Sequence, residues 1–129
     1  MKFLAIDYGT KNIGLARASS DLDLVLPFGV IKNDNEQVLA ELVKIIQTEK
    51  IDIIVVGLPT GLDWSENNNT IKIRNFTAEL QKQISVPIVF ITEIFSSQAA
   101  DRMGEGASRD EKSAMVILDN YLQKQKLGD

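Results

Sequence analysis

Ile51-Asp52-Ile53-Ile54-Val55-Val56, closed by Gly57, most restricts what this chain can become. A short β-branched run, apolar except for Asp52 and ended by a glycine, suits a strand buried on both faces. Such strands belong to parallel sheets, and parallel neighbours need a crossover connection that is usually a helix. The flanking sequence supplies helical patterns on both sides. Val38, Leu39, Leu42, Val43, Ile45 and Ile46 recur at helical spacing upstream, and Ile73, Phe76, Leu80 and Ile84 do so downstream. Val86-Pro87-Ile88-Val89-Phe90-Ile91 then reads as a further strand.

Ahead of these units, an apolar run from Lys2 to Ile6 ends at the turn signal Asp7-Tyr8-Gly9-Thr10-Lys11-Asn12, and Ile13 to Ala18 reads as the returning strand of a hairpin. Leu24 to Ile31 reads as a third strand, in which Pro27 suggests a sheet edge or a strand start. After the fifth strand, Ser96 to Met103 suits a short helix and Gly104-Glu105-Gly106 a link. Ala114, Ile117, Leu118, Tyr121 and Leu122 line one face of a last helix. The expected order is β-β-β-α-β-α-β-α(α). It describes an α/β fold with a mixed five-stranded sheet, three antiparallel strands followed by parallel crossovers, flanked by helices. With 129 residues, 44% of them hydrophobic, residues 1–129 suit a single domain with its own core.

Composition removes several chemistries. The chain has no cysteine and no histidine, which excludes disulfides, thiolate metal sites and imidazole catalysis. Any catalysis falls to carboxylates, hydroxyls, lysines, backbone groups or a bound hard cation. No apolar run approaches the roughly 18 residues of a membrane span, and the opening Met1-Lys2-Phe3-Leu4-Ala5-Ile6-Asp7 meets an acid too early for a signal peptide. A cytoplasmic protein without a membrane partner is expected. The net charge of −4 opposes phosphate binding in bulk, although Lys72 and Arg74, together with Lys11 and Arg17, could form a local basic lip.

If the first, fourth and fifth strands run parallel, their C-terminal ends share one edge, where ligands bind in such sheets. Asp7 follows the first strand, the Gly57 loop the fourth, and Glu93 the fifth. Ser108-Arg109-Asp110-Glu111 has the spacing of a capping box and puts Asp110 in the first turn of the last helix. Three acids gathered there would repel one another unless a cation neutralised them. Magnesium, which takes oxygen ligands and shares them with phosphate, is the natural candidate. Two such ions about 4 Å apart can activate water and stabilise a leaving oxygen. Each acid also has a plainer role. Asp7 suits a turn, Asp110 complements a helix N-terminus, and spacing alone does not separate Glu93 from Asp63, Glu66, Asp101 or Glu105.

Four segments in order resemble the YqgF family of ribonuclease H-like nucleases. Asp7-Tyr8-Gly9-Thr10-Lys11-Asn12-Ile13-Gly14 is similar to its opening Asp-x-Gly-x-Lys-x-Ile-Gly signature, and Val56-Gly57-Leu58-Pro59 to its Val-Gly-Leu-Pro loop. Thr92-Glu93-Ile94-Phe95-Ser96-Ser97-Gln98-Ala99 resembles its Asp-Glu-Arg-x-Thr-Ser/Thr-x-x-Ala segment, and Asp110 to Leu118 its closing Asp-x-x-Ala/Ser-Ala-x-x-Ile-Leu. The resemblance implies a ribonuclease H-like fold. It implies Asp7, Glu93 and Asp110 as catalytic, metal-binding acids for Mg2+ or Mn2+. It also implies a hydrolase that matures the 5′ end of pre-16S rRNA in ribosome biogenesis, with Holliday junction resolution on branched DNA as the alternative. The partners are then structured RNA or branched DNA and ribosomal particles, and the protein is a monomer or a homodimer.

Ile94 stands where the family has arginine, so a guanidinium near the scissile phosphate is missing and weak activity is expected unless another cation, Lys11 or Arg17, serves. Lys11, Gly57 and Arg109 are the candidate substrate contacts. Lys11 equally suits a solvated turn, and Gly57 and Gly61 equally suit turn geometry. Trp64 could stack on an unpaired base or pack over the sheet edge. Two other readings remain open. Asp-x-Gly-Thr also resembles the phosphate loop of actin-like and sugar-kinase ATPases, which needs a second domain. A non-catalytic RNA- or ribosome-binding module would need no turnover.

Overall fold

The computed structural model describes residues 1–9, 11–20, 22–33, 37–59, 68–93 and 108–127. Three strands open the chain, β1 (Lys2–Tyr8), β2 (Asn12–Ser19) and β3 (Leu22–Lys32). They are followed by α1 (Val38–Thr48), β4 (Ile53–Pro59), α2 (Asn68–Gln81), β5 (Ile88–Glu93) and α3 (Arg109–Leu127). The strands form one sheet in the order β3-β2-β1-β4-β5. β2 is antiparallel to both β1 and β3, whereas β1, β4 and β5 are parallel. The mixed sheet expected from the hydrophobic pattern is therefore present, with β1 at its centre.

Alternation along the strands divides the core into two layers. Leu4, Ile6, Ile13, Leu15, Ile54, Val56 and Leu58 pack on one side against Val38, Leu42 and Ile46 of α1 and Ile73 and Leu80 of α2. On the other side Phe3, Ala5, Ala16, Ala18, Val55 and Ile91 meet Ala114, Met115, Ile117 and Leu118 of α3. Three alanines on this second face leave room for α3 to lie close to β1 and β2.

The strand ends differ from expectation in an informative way. Asp7 and Tyr8 are part of β1, because the hairpin ladder runs on to pair Asp7 with Gly14 and Tyr8 with Ile13. Gly57 is inside β4, opposite Ile91, since pairing with β5 extends that strand to Pro59. β5 begins only at Ile88. Pro87 has no amide to give the ladder, although its carbonyl accepts from the Ile54 amide at 3.0 Å. Ile84 lies beyond α2. The short helix expected over Ser96 to Met103 and the link Gly104-Glu105-Gly106 fall outside the described residues.

β3 carries one irregularity that matters below. Between the pairs Gly14 with Val30 and Ala16 with Pro27, β3 has one residue more than β2. The extra residue makes a bulge, and Gly29 takes φ +103 there, a conformation that favours glycine.

Candidate active site

Asp7 sits near the C-terminal end of the central strand, in the alternate set of Phe3 and Ala5, whose side chains meet α3. Its cross-strand partner is Gly14. A Cβ on Gly14 would overlap the carbonyl of Asp110 and come within 3.1 Å of the Asp110 Cα. The missing side chain is thus what lets the first turn of α3 rest on β2. That close approach sets Asp110 beside Asp7, and it gives the Ile13-Gly14 pair of the opening motif a physical reason.

The start of α3 is held from two directions. Ser108 and Glu111 form the reciprocal cap read from the sequence: the Glu111 amide donates to Ser108 Oγ at 3.2 Å, and the Ser108 amide to Glu111 Oε1 at 3.0 Å. The second carboxylate oxygen of Glu111 accepts from the amide of Gly29 at 2.8 Å, inside the β3 bulge. The Ser108 amide first, and then that of Gly29, hold the Glu111 carboxyl below its usual range against the opposing effect of burial. One side chain therefore caps α3 and ties it to the sheet.

Asp7 is charged at a cost. Burial first, and the neighbouring Asp110 carboxylate second, push its pKa from 3.8 up to about 6, while a hydrogen bond with Ser113 opposes the rise. Ser113 is buried one turn below Asp110, and its hydroxyl also lies 3.1 Å from the Arg109 carbonyl. A hydroxyl has one hydrogen, so it serves the Asp7 carboxylate or the Arg109 carbonyl at any moment. The roles of Gly14, Gly29 and Ser113 escaped sequence reasoning, because each depends on α3 lying over β2 and β3.

Glu93 ends β5, in register with Pro59. The pairs Ile6 with Val56 and Val56 with Phe90 put Glu93 two strands across and two residues beyond Asp7. The backbone separation is roughly 12 Å from ordinary strand spacing and rise. Its backbone stands in the alternate set of Val89 and Ile91, which pack on the α3 side. Among the described residues no group of three or more acidic side chains is gathered for a metal ion. The close pair that is described is Asp7 with Asp110.

The other expected contacts divide. Lys11 is exposed in the β1–β2 turn, near the Asp7 end of the sheet. The turn is braced by the Asn33 amide on the Lys11 carbonyl at 2.8 Å and by Asn33 Nδ2 on the Gly9 carbonyl at 2.8 Å. Arg109 is exposed at the first position of α3, next to Asp110. Gly57 is different. It is buried inside β4, where a Cβ would meet Ile117 Cδ1 at 2.5 Å, so its bare backbone makes room for α3. Arg17 does not join a basic lip. It pairs across β1 with Leu4, three residues down the strand from Asp7, and its Nη1 contacts Glu49 Oε1 at 3.1 Å. Gly61, Trp64 and Ile94 lie outside the described residues.

Comparison with known proteins places this geometry. The family model RuvX, described as a Holliday junction resolvase, matches residues 1–124. The chain belongs to the RuvX family. Relatives bearing the name "Putative pre-16S rRNA nuclease" include that of Maridesulfovibrio salexigens, 36% identical over 134 residues, with 96% of this chain and 99% of the relative covered. That of Mycoplasma mobile is 34% identical, with 95% and 92% covered. Among solved structures, Thermus thermophilus RuvC aligns with a TM-score of 0.72 over 99% of this chain and 97% of that one, at 12% identity. The fowlpox virus Holliday junction resolvase aligns at 0.56, over 96% and 99%, at 15% identity. At such identities the likeness is one of fold, and the fold of this RuvX chain is the ribonuclease H-like one that the resemblance of its four segments implied. The family and its named relatives are nucleases. No helix among the described residues is long and apolar enough to cross a membrane.

Proposed function

We propose that this chain is a divalent-metal-dependent endonuclease that hydrolyses phosphodiester bonds of structured RNA, with the 5′ end of pre-16S rRNA as its substrate. The observation that carries this reading is Asp110 beside a partly buried Asp7 whose carboxyl is pushed up to about 6. Two carboxylates at the end of a parallel sheet, one of them ionising against burial, fit a hard cation with oxygen ligands. Asp7, Asp110 and, from the end of β5, Glu93 would hold Mg2+ or Mn2+. Two such ions would be held there with substrate bound. When bound, such ions lower the pKa of an attacking water and offset charge on the leaving oxygen.

The chain's own groups orient that chemistry. Ser113 steadies the ionised Asp7, and the capped, tethered start of α3 fixes Asp110. Lys11 and Arg109, both exposed near the acids, are suited to the phosphates that flank the cut. They would supply the positive charge that Ile94 does not. The names of relatives alike over nearly their whole length favour RNA. The family description supports branched DNA as a second reading.

Purified protein with Mg2+ or Mn2+, offered a labelled RNA that spans the 5′ end of pre-16S rRNA, should cut it, and Asp7→Asn should lower the rate at least a hundredfold. Cleavage of a synthetic four-way junction but not of the RNA would transfer the activity to branched DNA. Binding of the RNA without cleavage under any divalent ion would make the chain a non-catalytic binder and sink the enzymatic reading.

A further inference from the structure

The five strands carry three cations, Lys2, Arg17 and Lys32, and these do not share a face. Lys2 and Arg17 alternate with Phe3, Ala16 and Ala18, which pack against α3, so both stand on the side of the sheet that α1 and α2 cover. Lys32, the last residue of β3, is different. Its neighbour Ile31 packs in the layer of α1 and α2, and Lys32 itself pairs with Asn12, two residues along β2 from Gly14. By alternation Lys32 and Val30 stand on the α3 face, the face of Asp7 and of the first turn that carries Asp110. Lys72 and Arg74, expected in a basic lip, are on α2 and so belong to the opposite side.

Asp7, Gly14 and Val30 form one row across the sheet, and Asn12 and Lys32 belong to the next row towards the C-terminal end of β1. Lys32 is therefore two strands across from Asp7 and two residues beyond it, roughly 12 Å at ordinary strand spacing and rise. The backbone of Glu93 has the same offset on the opposite flank. Two ties fix the strand that carries Lys32. Gly29, three residues earlier, donates its amide at 2.8 Å to Glu111, the residue after Asp110. Asn33, the next residue, donates its amide to the Lys11 carbonyl at 2.8 Å. Lys32 is exposed, and among the described residues no acid pairs with it, whereas Arg17 has Glu49 and Lys82 has Glu79. Val30, next to it on the same face, is 40% exposed, so α3 leaves this corner of the sheet open.

An exposed ammonium without an acid, held at a fixed distance from carboxylates on a chain of net charge −4, suits a polyanion that reaches both. We propose that Lys32 binds a backbone phosphate of the nucleic acid, about three nucleotides from the bond that is cut at about 3.4 Å each, so that the substrate leaves the acids over β2 and β3. The proposal rests on the nuclease reading above and adds a direction to it. The recognised chemistry is the phosphodiester anion, which RNA and DNA share.

Binding is measured in the Asp7→Asn background, so that cleavage does not intervene, on the pre-16S RNA fragment and on a four-way DNA junction over a series of salt concentrations. One neutralised phosphate contributes about 0.7–0.9 to the slope of log affinity against log salt. Lys32→Gln should make the slope shallower by about that amount and weaken binding roughly 5- to 8-fold at about 0.1 M salt, and Lys32→Arg should restore both. Lys44→Gln, which removes the same charge from α1 on the other side of the sheet, should change neither. A neutral methylphosphonate placed at successive positions should reproduce the loss at one position, on one side of the cut, with no further loss when combined with Lys32→Gln. The ligand on which this pattern appears, RNA or junction, is the one whose phosphate Lys32 holds. If Lys32→Gln alters slope and affinity no more than Lys44→Gln does while Asp7→Asn binds the ligand, the contact is refuted and the nuclease reading stands. If Asp7→Asn binds neither ligand and the chain with Asp7 restored cuts neither, both fall together.

Discussion

Asp7 shows how burial and a like-charged neighbour raise the cost of ionising a carboxyl on a central strand. Its carboxyl titrates near 6 in the fold, against 3.8 unperturbed. Between these values the folded state binds the extra proton, so stability contributed by this group falls as pH rises through that window and is level above it. The difference of 6 less 3.8 amounts to roughly 3 kcal/mol at about 1.4 kcal/mol per unit. Asp7→Asn, which cannot ionise, should therefore be more stable than the parent by up to about 3 kcal/mol at pH 8 in EDTA, and no more stable near pH 3. Urea unfolding at the two pH values checks this; an equal difference at both would mean that ionisation of Asp7 carries no cost. Gly14 contributes by absence, since any side chain there would displace the backbone of Asp110.

Among the elements, α3 decides whether the acids meet, and Glu111 decides where α3 begins. Its carboxylate accepts amides from its own helix cap and from the Gly29 bulge in β3. Glu111→Ala removes both and leaves two amides to find water, a loss of about 1–3 kcal/mol for a cap and a charge-assisted bond. Faster hydrogen exchange at Gly29 and Ser108, with the rest of the sheet unaffected, should accompany the lower denaturant midpoint. Unchanged protection at Gly29 would mean that the tether is not made in solution. The bulge has a second effect. With Pro27 beside it, it disturbs the outer edge of β3, which blunts a strand that could otherwise pair with a neighbouring chain.

At the scale of the whole molecule, the sheet sets three parallel strand ends side by side, and the acids proposed to hold a cation come from its centre, its last strand and the covering helix. An arrangement that costs stability when bare should gain it from a cation. Linkage gives about 2.7 kcal/mol at a hundred times the dissociation constant. At pH 8, Mg2+ or Mn2+ should raise the melting temperature of the parent by several degrees, and far less that of Asp7→Asn. Equal shifts in the two proteins would mean that the ions bind elsewhere. A protein of net charge −4 should also hold RNA weakly, with a shallow dependence on salt, because the slope counts the phosphates that its cations neutralise.

Hydrophobic period and turn chemistry are local properties, and so the order of the described strands and helices and the capping box at Ser108 and Glu111 were legible before any tertiary contact was known, whereas of the two readings of Pro27, edge or strand start, the sheet order chose the edge. The four motifs also carried the family, through residue types that this fold needs at particular places. Strand ends were less legible, because the pairing of Asp7 with Gly14 and of Gly57 with Ile91 extends β1 and β4 through residues that read as turns. The contacts of Gly14 with Asp110, Gly29 with Glu111, Gly57 with Ile117 and Arg17 with Glu49 join residues distant in the chain. The sequence by itself determined which elements form and which acids are available. Only packing in three dimensions decided that Asp110 stands beside Asp7, that Gly57 serves a helix, and that Arg17 is held away from the acids, because proximity across a sheet leaves no mark in spacing along a chain.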